Sequence, residues 1–143
     1  EAAAMRARVA EAKRPEGPWD SKLGPGRLQE IELTAQAGSL MAGETERSVA
    51  AGVAAGVAIG WLDDAAGQAL LRAYGLCWRV LQAAKLLSER PLDPGRIGEG
   101  GTGFVLRETG HETLADLQAD LDEATQAAAG VIDAAFAQPP RED

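Results

Sequence analysis

Lys22 stands two residues ahead of Gly24-Pro25-Gly26, and Glu30, Glu32 and Gln36 follow within a helical pattern. A lysine beside glycines suggests a phosphate cradle, and nearby glutamates suggest a divalent cation, but the spacing rejects both. A P-loop sets its lysine after the second glycine, whereas Lys22 precedes both and no strand-like run leads into it. A dinucleotide loop needs a third glycine where this chain has Gln29. Glu30 and Glu32 diverge by about 200° around a helix and cannot share one ion, while Glu32 and Gln36 fall on a common face. What remains is a Gly-Pro-Gly lead-in to a helix, with acidic residues near its positive end.

The other reactive residue types are equally spare. A single cysteine, Cys77, rules out an intrachain disulfide, and a single histidine, His111, rules out a multi-histidine metal site. Cys77 lies on an apolar helical stripe with no histidine nearby in sequence, so a buried small residue is expected rather than a nucleophile. His111 sits at a helix start and reads as a surface or capping residue. Tyr74, Trp78 and Gln82 step by four and read as packing residues. Asp116, Asp120, Asp122 and Glu123 read as a solvated acidic face. Gly52, Gly56 and Gly60 recur every four residues, and their cost of about 1 kcal/mol each in a helix calls for close approach of a second helix inside the fold. No catalytic residue, no metal ligand and no cofactor site is expected within this chain.

A net charge of −8 opposes binding to nucleic acid phosphates or to anionic membranes. The longest apolar run, residues 49–62, is broken by glycines and too short to span a bilayer, so a cytoplasmic protein is expected. Aromatics make up only 4% of the 143 residues while alanine abounds, which favours closely packed helices. Residues 1–14 are helix-like, with Met5 and Val9 on one face. This opening, which has no capping residue before it, reads as the interior of a longer protein, and the Pro-Pro near the end reads as a stop. Further helices are expected from Gly26 to about Met41, from Thr45–Glu46 to about Ile59 with Gly60 at its end, and from Asp63 as N-cap to about Ser88. A short one follows from Thr102 to Glu108, and the last runs from about Glu112 to Ala137. Apolar stripes run through Ala66, Leu70, Ala73, Cys77, Val80, Ala84 and Leu87, and through Leu114, Leu117, Leu121, Ala124, Ala128, Val131 and Ala135. The second is a heptad seam, predicting near-antiparallel packing at about 20°. The class is all-α, a bundle of five or six helices.

The stretch from Trp19 to Leu40, WDSKLGPGRLQEIELTAQAGSL, resembles a motif of the bifunctional glutamine-synthetase adenylyltransferase/adenylyl-removing enzymes. Asp20, Lys22, Gly24, Gly26, Leu28, Glu30, Ile31, Glu32 and Gln36 carry the likeness. Arg27 departs from it in place of a second glycine, and Leu33 in place of a phenylalanine. The resemblance implies that residues 1–14 end a connecting helix from an upstream nucleotidyltransferase domain and that 15–143 form a C-terminal helical domain. It implies AMP transfer from ATP with Mg²⁺ in the parent enzyme, no chemistry in this fragment, and glutamine synthetase and the PII signal protein as partners. Asp20, Lys22, Gly24, Gly26, Glu30, Glu32 and Gln36 would then be interdomain contacts. Two alternatives stand beside it: the helical domain of the related PII uridylyltransferase, and a stand-alone helical interaction module.

Overall fold

The computed structural model describes residues 17–46, 48–88 and 91–137. Among them are five helices and no strand: α1, Leu28–Ala42; α2, Val49–Ala58; α3, Asp64–Leu87; α4, Gly98–Thr109; and α5, Leu114–Ala137. The all-α bundle expected from the sequence is the observed fold. The helix expected over residues 1–14 and the proline-broken tail lie outside the described residues.

Local chemistry explains most helix ends. Asp63 caps α3 as expected, its carboxylate accepting from the Ala66 amide at 2.7 Å. Thr113 does the same for α5 through the Asp116 amide. The α1 helix stops at Gly43, whose φ of 72° lets the Glu44 amide reach back to the Ser39 carbonyl and the Gly43 amide to that of Leu40. Gly60, with φ of 78°, closes α2 in the same way through the Trp61 and Gly56 backbone.

Two starts differ from expectation. Ser48, not Thr45, caps α2, and the helix begins three residues later than Glu46. Both are hydroxyl residues with capping chemistry, and the Glu44–Glu46 loop that finishes α1 consumes the intervening residues. Thr102 does not cap α4. That helix already begins at Gly98 and runs through Gly100, Gly101 and Gly103, which propensity alone assigns to a loop. Packing overrides propensity there: Val105 is fully buried, and Ile97, Phe104 and Leu106 pack on the core.

The core follows the stripes. Leu70, Ala73, Cys77, Val80 and Ala84 of α3 are buried against Leu117, Leu121, Ala124, Ala128, Ile132 and Ala135 of α5. The ends of the stripes fray outward, with Ala66 and Leu114 half-buried and Leu87 exposed, and within the α5 stripe Ile132 takes the core position expected of Val131, which is half-buried. The two helices run antiparallel. Trp61, just before α3, donates its indole N–H to the Ala135 carbonyl near the end of α5, whereas Arg72, further along α3, reaches Glu123 in the middle of α5. Trp61 also meets Phe136 edge to face at 5.4 Å.

Small residues set a second contact, between α1 and α2. A side chain on Gly52 would overlap the Ala35 carbonyl, and one on Gly38 would stand 2.5 Å from the Gly52 carbonyl oxygen. The two backbones therefore touch. Gly56 faces Leu62 and Trp61, so Gly52 and Gly56 point into the fold, and Gly60 serves as the turn after α2.

Cys77 is fully buried. Burial pushes its thiol from the ordinary 9.0 up to about 11, and the Arg27 guanidinium offsets part of that rise. Such a thiol stays protonated and inert at neutral pH, as expected of a packing residue.

Two stability predictions follow from this packing. Gly52→Ala should lower unfolding free energy by about 1–2 kcal/mol, because the clash with the Ala35 backbone exceeds the gain in helix propensity. Gly75→Ala, where nothing lies within 4 Å of the new methyl group, should raise it by roughly 0.5–1 kcal/mol. Denaturant titrations decide both, and a Gly52→Ala protein as stable as the parent would mean that α1 and α2 are not in backbone contact. For Cys77 the folded pKa exceeds the unfolded one, so its contribution is whole below pH 9.0 and is lost as pH rises to about 11. Over that window the parent should lose roughly 2–3 kcal/mol more than a Cys77→Ala variant. Parallel unfolding curves against pH would remove the buried-thiol account.

Candidate functional site

The Gly-Pro-Gly lead-in is built from its own residues inward. Trp19 is buried in the core and anchors the loop. Asp20, only 4% exposed, accepts from the Lys22 amide at 3.0 Å and the Leu23 amide at 3.1 Å, which holds the chain in a tight turn. Arg27, the N-cap residue of α1, offers no capping side chain. The loop supplies the missing acceptors: the Ser21 carbonyl takes the Leu28 amide and the Lys22 carbonyl takes that of Gln29, both at 3.0 Å. Glu30 reaches back to the Gly26 amide at 3.1 Å, in the manner of a capping box. Loop and helix start form one hydrogen-bonded unit.

Gly26 fastens that unit to the rest of the bundle. With φ of 68° it turns the chain against α5, where any side chain would overlap the Thr125 carbonyl oxygen and stand 2.8 Å from the Ala129 amide. Arg27, where the resembled motif has a second glycine, needs no such freedom at φ of −102°. Its guanidinium donates to the Asp20 carbonyl, so the departure from the motif tightens the loop. The close approach sits at residue 26.

The motif residues thus divide in two. Asp20, Gly26 and Glu30 hold the turn together, and Gly24 accepts the Arg27 amide at 3.3 Å within it. Lys22, Glu32 and Gln36 face solvent. Glu32 and Gln36 line a groove with Ser39, Leu40, Glu44, Glu46 and Tyr74. Burial raises the Tyr74 phenol, and the Glu32 carboxylate raises it further. Glu30, turned back to Gly26, is on the other side of α1, as its spacing from Glu32 requires.

Among the described residues no group of three or more His, Cys, Asp or Glu could hold a metal ion. The Mg²⁺ implied by the sequence resemblance has no convergent carboxylates here, because Asp20 and Glu30 are engaged with backbone amides and Glu32 is on another face. No helix among the described residues is long and apolar enough to cross a membrane.

Three side chains fall elsewhere than expected. His111 is not a surface residue: its side chain is 12% exposed, with Nε2 2.7 Å from an Asp120 carboxylate oxygen, while its backbone amide finishes α4 on the Leu106 carbonyl. The α4–α5 turn folds it back onto the acidic face of α5, a contact nine residues apart that helical periodicity does not encode. Tyr74 is half-buried and packs against the core as expected, whereas Trp78 does not pack internally. The two stack on each other at 6.2 Å, Trp78 is 46% exposed, and Gln82 one turn on is exposed too. Spacing shows that they share a face but not whether another helix covers it.

The hydrogen bonds of the turn make a stability prediction. Asp20→Ala leaves the Lys22 and Leu23 amides without their acceptor and should cost about 1–2 kcal/mol. A melting temperature equal to the parent's would show that the Asp20 carboxylate does not hold the loop.

No curated protein matches the chain. Residues 3–131 match the family described as GlnD PII-uridylyltransferase. That span takes in the Trp19 anchor, the Gly-Pro-Gly turn, the α1–α2 glycine contact and most of the α3–α5 seam. The all-helical bundle described here, with the turn fastened to α5 at Gly26, is therefore a member of the GlnD PII-uridylyltransferase family.

Proposed function

We propose that this chain is the helical domain of a nucleotidyltransferase of the PII-uridylyltransferase type, and that it acts by docking and positioning. The family match over residues 3–131 carries this reading. The rigid turn supports it, because it holds Lys22, Glu32 and Gln36 outward on a fixed frame. In this reading the nucleotide, its Mg²⁺ and the reacting groups belong to a separate nucleotidyltransferase domain. The exposed half of the motif meets that domain, and the acceptor is a PII-type signal protein.

A second reading rests on one observation, the Asp20-to-Gln36 motif with its Glu30-Ile31-Glu32 core. It makes the parent an adenylyltransferase, with ATP as donor and a tyrosine of glutamine synthetase as acceptor. Docking by Lys22, Glu32 and Gln36 is common to both.

Nucleotidyl transfer in trans tests them together. The nucleotidyltransferase domain is supplied separately with Mg²⁺, either with UTP and PII protein or with ATP and glutamine synthetase, and with or without this chain. The first reading expects label on PII only, rising several-fold when the chain is added and falling when Lys22→Ala is used instead. Label on glutamine synthetase from ATP would shift the assignment to the second. Transfer that ignores the folded chain in both arms, beside an active full-length control, would count against docking.

A further inference from the structure

We propose that the groove between α1, the amino end of α2 and Tyr74 of α3 is a docking site for a cationic protein segment that carries an apolar anchor. Among the described residues, the apolar part of the groove is left open. Leu40, which lines it, is 73% exposed. Leu71 and Trp78, one turn to either side of Tyr74 on α3, are 41% and 46% exposed. Single exposed apolar residues are ordinary, but Leu40 lines the groove itself, and Leu71 and Trp78 flank its Tyr74 wall along α3. Tyr74 and Trp78 stack nearly parallel, with 19° between their planes, and offer an aromatic surface.

The described charged residues that line the groove have one sign. Among the described residues lining it, the charged ones are Glu32, Glu44 and Glu46, and no ion pair among the described residues engages them. An anionic partner would meet three carboxylates. A lysine or arginine would meet carboxylates beside an aromatic stack, where ion pairing and cation–π attraction act on the same group. An apolar side chain next to that cation would cover Leu40. The loop walling the groove is held in shape by the Gly43 turn and by the Ser39 hydroxyl, which donates to the Glu46 carbonyl at 3.4 Å. The occupant that fits is therefore a basic amphipathic segment of a protein. This inference is independent of which nucleotide or acceptor the parent enzyme uses.

The 143-residue chain can be titrated with three synthetic peptides while Trp78 fluorescence and amide NMR shifts are followed. One carries lysines and leucines in helical register, one carries the same lysines with serines for leucines, and one carries glutamates and leucines. The expected order is tight binding of the lysine–leucine peptide, weak binding of the lysine–serine peptide and none of the glutamate–leucine peptide, with shifts confined to α1, the 43–50 segment and Tyr74–Trp78. Affinity should fall with added salt. Replacing Glu32, Glu44 and Glu46 by Gln should weaken binding by roughly tenfold or more, and replacing Glu108, Glu112 and Glu123 by Gln should not. Equal losses from the two triple variants would mean that a cationic peptide simply coats an acidic protein, and the proposal fails. It also fails if the glutamate–leucine peptide binds as well, which would mark the face as merely apolar. Circular dichroism melts of each variant exclude unfolding as the cause, and the comparison of peptides on the parent chain needs no variant at all.

Discussion

Backbone-to-backbone contact at Gly26 is the constraint on which the arrangement around the motif depends. A turn with positive φ meets the Thr125 carbonyl of α5 at a distance that admits no side chain. Because that contact fixes the loop, the Ser21 and Lys22 carbonyls are in place to receive the first amides of α1. Because α1 starts there, Ile31 and Thr34 are buried in the core. Displacing Gly26 would take the acceptors away from a helix start that has no capping side chain of its own.

A second contact of the same kind, Gly52 against Ala35 and Gly38 against Gly52, joins α1 to α2. The chain has few aromatic residues, so its elements gain packing by bringing backbones together rather than by interleaving large side chains. Glycines that lower helix propensity are tolerated where they permit this approach. The larger apolar side chains, Leu70, Leu117, Leu121, Val80 and Ile132, are concentrated in the α3–α5 seam.

This construction separates structural from outward-facing chemistry within one short motif. Asp20 and Glu30 satisfy amides of the turn, and Arg27 closes onto the Asp20 carbonyl. Lys22, Glu32 and Gln36 project from a frame that cannot easily shift. Charge held in fixed positions favours recognition, since little order has to be gained on binding. The motif lies within the span, residues 3–131, that matches the GlnD PII-uridylyltransferase family.

The sequence by itself determined the helical class, because three- and four-residue apolar steps dictate which side of each helix is buried. It also determined the α3 cap at Asp63, the αL turn at Gly60 and the inward place of Cys77, all of which follow from local residue chemistry. In the candidate site, spacing alone separated Glu30 from Glu32 and excluded a phosphate loop. Four matters were decided only by the tertiary structure. Gly26 touches α5 about a hundred residues along the chain, and nothing local records that partner. His111 is half-buried against Asp120 because the turn at Gly110 folds it there. The glycine-rich start of α4 is helical because its apolar half is buried, against its own propensity. Trp78 is exposed beside a half-buried Tyr74 because no described helix covers that part of the α3 face, and periodicity gives the face without its neighbour. Local patterns encode what a residue prefers, while contacts between distant segments decide which preferences prevail.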